Sequence, residues 1–153
     1  RALAVHAGDS RLFRLRGEHL ERLSAIHTYA ALLVEKGEIT EAEMEQSIYR
    51  NKLTNFVGYQ EFNPQVFTMD LKAGDTFLLC SDGPLDGLTL EGIRDALNRT
   101  APALIVRDLI TQARQTLLAR APEPDSDGLP YSDNLTLVAL QFIDPLLQPG
   151  VDR

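Results

Sequence analysis

Hydrophobic and polar positions along this chain change period several times, and each change predicts an element. Ala2 to Ala7 is apolar and runs into Gly8-Asp9-Ser10-Arg11, after which Leu12-Phe13-Arg14-Leu15-Arg16 alternates, a strand, turn, strand pattern. Thr28 to Lys36 is helix-like and is stopped by Gly37. Thr40-Glu41-Ala42-Glu43 has the spacing of a capping box, with Ile39 and Met44 placed as a hydrophobic staple, so a second helix is predicted there. Val66 to Leu71 alternates again, with Phe67, Met69 and Leu71 on one face. Ala73-Gly74-Asp75 then turns the chain into Thr76 to Cys80, and so short a turn predicts that these two strands pair antiparallel. Thr89 is positioned to cap a helix carrying Leu90, Ile93 and Leu97, and Pro102 to start another striped by Ile105, Leu109, Ala113 and Leu117, both stripes reading as core. Residues 121–130, rich in Pro, Asp and Gly, read as a loop before a last strand over 135–142, and 144–153 as a peripheral tail.

The chemistry concentrates where strands end. Thr76-Phe77-Leu78-Leu79-Cys80 stops abruptly at Ser81-Asp82-Gly83, which predicts a buried strand that delivers one carboxylate to the rim of a sheet. A carboxylate there is costly to desolvate unless a cation, a donor or water meets it. Asp9 sits at the first strand junction, and Asp133 opens the last strand. Three Asp residues at strand ends can converge on one edge; each alone also has the ordinary reading of a turn cap that bonds its own backbone. Asp125 and Asp127 are better read as solvated loop residues. His6 and His19 have no acidic or cysteine neighbour at ligand spacing and carry no assigned chemistry. His27 fits either a contact to substrate phosphate, or an acid, or a plain surface or hinge histidine.

The 153 residues, 44% hydrophobic, suffice for one core of moderate size. A net charge of −7 argues against a general nucleic-acid surface. The single cysteine excludes an internal disulfide and fits a reducing compartment, hence a cytoplasmic expectation. No apolar run approaches the roughly 20 residues of a membrane helix, and no signal peptide is visible.

Gly8-Asp9-Ser10-Arg11, then Cys80-Ser81-Asp82-Gly83, then Asp133-Asn134 resemble, in order, the later motifs of the metal-dependent protein phosphatases of the type 2C class. Leu23-Ser24-Ala25-Ile26-His27-Thr28 is similar to the opening of that family's flap; Gly37-Glu38-Ile39-Thr40, Arg50-Asn51-Lys52-Leu53-Thr54 and Gly58 resemble the rest of it. Ala73-Gly74-Asp75-Thr76 resembles the turn before the Ser-Asp-Gly strand. The likeness runs from about residue 3 to about 142.

The resemblance implies that Asp82 and Asp133 ligate the first of two Mg or Mn ions, and that Asp9, with Asp82, holds a weaker third. It implies direct hydrolysis of phosphoserine or phosphothreonine in a phosphoprotein substrate by a metal-activated water, with no phospho-enzyme and no nucleophilic role for Cys80. Hard divalent cations prefer such oxygen ligands. The departures carry information too. The family's early half, with its Asp-Gly-x-x-Gly motif whose Asp bridges both metals, has no counterpart after Arg1, and the chain opens within a strand without Met; it reads as the later part of a longer polypeptide, inactive or nearly so alone. Ile26 stands where the flap usually has Asp, and Pro84 where Leu usually follows Ser-Asp-Gly. Arg11 is expected to orient carboxylates rather than bind phosphate.

The expected fold is therefore α/β in the α+β sense, part of an α-β-β-α sandwich of two antiparallel sheets flanked by helices. Residues 1–143 are expected to form the later part of a type 2C catalytic domain, with the flap at about 27–58. The expected function is a metal-dependent serine/threonine phosphatase; the alternative is a regulatory or binding module that keeps the fold without catalysis.

Overall fold

The computed structural model describes residues 1–99, 101–120 and 134–143. In chain order the elements are β1 (Ala2–His6), β2 (Arg11–Arg16), β3 (His19–Arg22), α1 (Tyr29–Glu35), α2 (Glu41–Met44), β4 (Gln65–Met69), β5 (Thr76–Cys80), α3 (Gly83–Gly87), α4 (Leu90–Arg99), α5 (Pro102–Arg120) and β6 (Leu137–Gln141). They fall into two compact units: residues 1–11 with 24–70, and residues 12–23 with 71–153. The expected loop at 121–130 and tail at 144–153 lie outside the described residues.

In the first unit, β1 and β4 form a two-stranded antiparallel sheet in the register Ala2↔Met69, Ala4↔Phe67, His6↔Gln65. Alternation puts Leu3, Val5 and Val66 on one exposed face. The helical segment follows its caps. The Thr28 side chain accepts from the Ala31 amide, and α1 ends before Gly37 at φ +72°. Thr40 and Glu43 complete a reciprocal capping box, as the sequence predicts, but α2 is a single turn of four residues. Residues 49–54 are pinned against the start of α1. The Tyr29 amide donates to the Lys52 carbonyl at 2.8 Å, Thr28 bridges Leu53, and the Lys52 ammonium lies 5.2 Å from the Tyr29 ring centre.

In the second unit the strand order is β3-β2-β5-β6. β2 and β3 form a hairpin closed between Arg16 and His19, with Gly17 at φ +59° opening the two-residue loop. β5 pairs antiparallel with β6, Leu78 opposite Ala139 and Cys80 opposite Leu137. Phe13, Leu15, Leu78, Cys80 and Leu137 pack with Ile93 and Leu97 of α4 and Ile105 and Leu109 of α5 into one core. Burying each large aliphatic side chain there is worth about 1.5–3 kcal/mol against leaving it in water. Thr89 caps α4 through the Gly92 amide, and Pro102 opens α5, whose buried residues are Ile105, Leu109, Ala113 and Leu117. Both helices thus start where the sequence places them. Leu90, expected in the α4 stripe, is 63% exposed.

One expectation is overturned. β4 and β5 do not pair across the Ala73-Gly74-Asp75 turn: β4 joins β1, and β5 lies between β2 and β6 in the other sheet. The turn is anchored elsewhere. The Gly74 amide donates to the Phe142 carbonyl at 2.9 Å, the Phe142 amide to the Asp75 carbonyl at 2.8 Å, and the Asp75 carboxylate accepts the Lys72 amide at 2.8 Å. Those bonds turn the chain toward β6, and a short connection becomes a crossing from one sheet to the other.

Candidate metal-binding site

Asp82 lies just beyond β5, as the apolar run predicts, and is half-buried. It is also the N-cap of α3, with Oδ1 accepting the Gly83 amide at 3.0 Å. The cap uses Oδ1 only; Oδ2 makes no hydrogen bond to the described residues. Pro84 follows inside the first turn of α3 and is buried; no intrahelical partner is needed for an amide there, so proline costs the helix nothing and fixes its φ.

Ser81 does more than the sequence suggests. Its amide donates to the Thr136 carbonyl at 3.1 Å, its hydroxyl donates to the Asn134 carbonyl at 3.0 Å, and the same oxygen accepts the Thr136 amide at 3.2 Å. One side chain next to Asp82 thereby holds the approach to β6. Asp133 itself, the residue before Asn134, lies outside the described residues.

Asp9 is in the first unit, half-buried, in the connection between β1 and β2. Gly8 beside it has φ +106°, a conformation open to glycine and costly for other residues. His27 holds that glycine at both backbone groups: its Nδ1 accepts the Gly8 amide at 3.1 Å, and its own amide donates to the Gly8 carbonyl at 3.0 Å. The His27 ring stacks on His6 with centres 5.1 Å apart and planes 24° apart. Burial lowers the pKa of both imidazoles, and the neighbouring His6 lowers that of His27 further. A neutral His27 is what an accepting Nδ1 requires. The sequence places neither the Ser81 bracket nor the His27 clamp, because both join positions far apart in the chain.

The carboxylates of Asp9 and of Asp82, each taken in its own unit, are the oxygen-donor type that hard divalent ions take. Among the described residues, no group of three His, Cys, Asp or Glu side chains is close enough to hold a metal by itself. The donor chemistry fits Mg or Mn; a full set needs donors beyond the described ones.

No protein-family model matches the chain. Its sequence is 31% identical over 140 residues to the serine/threonine protein phosphatase PstP of Mycobacterium tuberculosis, covering 92% of this chain and 25% of that protein. It is 33% identical over 102 residues to protein phosphatase PhpP of Streptococcus pneumoniae, covering 66% of this chain and 42% of that protein. The crystal structure of M. tuberculosis PstP superposes with a TM-score of 0.78 at 30% identity, over 93% of this chain and 55% of that one. The chain belongs to the PPM, or type 2C, phosphatase family. It spans a quarter to less than half the length of these curated relatives and about half of the solved PstP chain. Its two antiparallel sheets and helices match the fold of PPM phosphatase structures. Another of those structures, the PstP catalytic domain in complex with two manganese ions, has a TM-score of 0.72 at 31% identity over 93% of this chain and 54% of that one. No described helix is long and apolar enough to cross a membrane.

Proposed function

We propose that this chain is the later part of a metal-dependent protein serine/threonine phosphatase, with Asp82 and Asp133 as ligands of the first of two Mg or Mn ions and Asp9 as a ligand of a third. The observation that carries the proposal is Asp82, a carboxylate at the end of a buried strand, steadied by the Gly83 amide through one oxygen while the other makes no hydrogen bond to the described residues. PPM relatives named as protein phosphatases, one of them solved with manganese, support the reading.

Bound metal ions would polarise phosphoryl oxygens and lower the pKa of a bound water. The chain's own part is positional. β5, whose Leu78 is wholly buried, fixes where Asp82 stands; Pro84 and the α3 cap restrict how it turns. Ser81 holds residues 134–136, from which Asp133 is reached. The substrate class is a phosphoprotein, and the compartment we assign is the cytoplasm. We assign residues 1–143 to the catalytic part, with a flap at about 27–58.

The test is Mn-dependent hydrolysis of a phosphothreonine peptide by this chain and by the same chain continued upstream to the length of its relatives. The proposal expects turnover in the longer form, abolished by Asp82→Asn. Turnover in neither form, with Mn bound, would replace it with a regulatory module that keeps the fold.

A further inference from the structure

We propose that His27 is a positioning residue for Asp9, holding the Gly8-Asp9 turn in the one backbone conformation that presents the Asp9 carboxylate. The inference rests on the reading of Asp9 as a metal ligand.

β1 ends at His6 and β2 begins at Arg11, so the residues between are in neither strand. Gly8, at φ +106°, is in a region open to glycine but not enforced by it, so bonds from outside the turn are what hold that angle. A Cβ added there would meet nothing within 4 Å. The glycine is therefore demanded by its backbone angle and not by crowding. Both of its polar backbone groups go to one residue, His27, 19 positions later, through a pair of bonds of 3.1 and 3.0 Å that closes a ring between the two segments. Two bonds at one residue fix its peptide planes against rotation, and the C-terminal one is the plane from which Asp9 departs.

The clamp is itself held on both sides. Stacking against His6, the last residue of β1, sets the plane of the His27 ring and so the direction of the Nδ1 lone pair. The His27 carbonyl accepts the Thr54 amide at 2.9 Å, and Thr28 next to it is 1% exposed and bridges Leu53. Residues 49–54 and the Asp9 turn thus share one anchor. With Nδ1 accepting, the ring proton sits on Nε2, and the imidazole acts on the backbone rather than on substrate.

Two substitutions separate the acceptor from the ring. His27→Phe keeps an aromatic ring against His6 and removes the acceptor; His27→Asn removes the ring and returns an acceptor oxygen close to where Nδ1 was. The readouts are hydrogen exchange of the Gly8 amide and broadening of Asp9 resonances during Mn titration of the whole chain, with the α5 amides as a folding control. His27→Phe should speed Gly8 exchange several-fold and weaken Mn at Asp9 about tenfold, the usual effect of losing a group that orients a ligand. His27→Asn should recover both in large part. In the unaltered chain, a scalar coupling across the hydrogen bond between the Gly8 and His27 Nδ1 nitrogens should be present, a measurement that needs no variant. Its absence, or Gly8 exchange unchanged in His27→Phe, would overturn the clamp while leaving Asp9 as a ligand. Undiminished Mn binding in Asp9→Asn would instead remove the metal reading, and the positioning role with it, while Gly8 exchange still reported the clamp.

Discussion

Arg16 grips Asp75 with both ends of its guanidinium, Nε to Oδ1 and Nη2 to Oδ2, each at 2.7 Å. The Asp75 side chain is fully buried and Arg16 is 29% accessible. The fork ties β2 to the turn that starts β5, the strand that carries Asp82. Removing Arg16 would leave a carboxylate in the interior with only the Lys72 amide for company among the bonds described. Arg16→Met should therefore cost about 3 kcal/mol, near the low end for breaking such a pair because the arginine keeps some solvent. A lower urea midpoint at unchanged slope would show it.

The same pair sets an acid limb. The Arg16 hydrogen bonds hold the Asp75 carboxyl below its ordinary value of 3.8, against the opposing effect of burial. A depressed folded value means the stabilisation is complete above about pH 5 and is lost as pH falls below about 4 through the folded pKa. Unfolding followed against pH should show that loss in the unaltered chain and a flatter acid limb in Asp75→Asn, which has no carboxyl to titrate at the site.

Gly87 of α3 backs directly onto Ala113 of α5. A Cβ there would stand 2.6 Å from the Ala113 carbonyl oxygen and 2.9 Å from its Cα. Gly87→Ala should cost about 1–3 kcal/mol by forcing the two backbones apart. Adding Ala113→Gly should not recover it, because the atoms in the way are backbone. Thermal unfolding of the single and double variants reads both statements.

Ser81→Ala removes the oxygen that both donates to Asn134 and accepts from Thr136. About 1 kcal/mol of stability should go with it. The local signature is faster exchange of the Thr136 amide with α4 and α5 amides unchanged, and an unchanged Thr136 rate would contradict the bracket.

Elements whose signals are local were legible in the sequence. The Thr40 and Glu43 capping box, Thr89 before α4 and the stripe from Ile105 to Leu117 each involve residues a few positions apart, and each appears where expected. The sheet partners of β4 and β5 were not, because the choice was made by distant strands: β1 for one, β2 and β6 for the other. Nothing in Ala73-Gly74-Asp75 announces that Phe142 will take the turn's hydrogen bonds. The site divides in the same way. Asp82 at a strand end was legible from the run before it, whereas His27 holding Gly8 depends on a contact between two unremarkable positions that only the folded chain brings together.

The central claim is that these aspartates bind metal, and Mn titration calorimetry of the chain and of Asp82→Ala, Asp133→Ala and Asp9→Ala tests it most directly. The account predicts that the first two variants lose Mn binding and that Asp9→Ala loses only the weaker ion. Equal affinity in the unaltered chain and all three variants would contradict it.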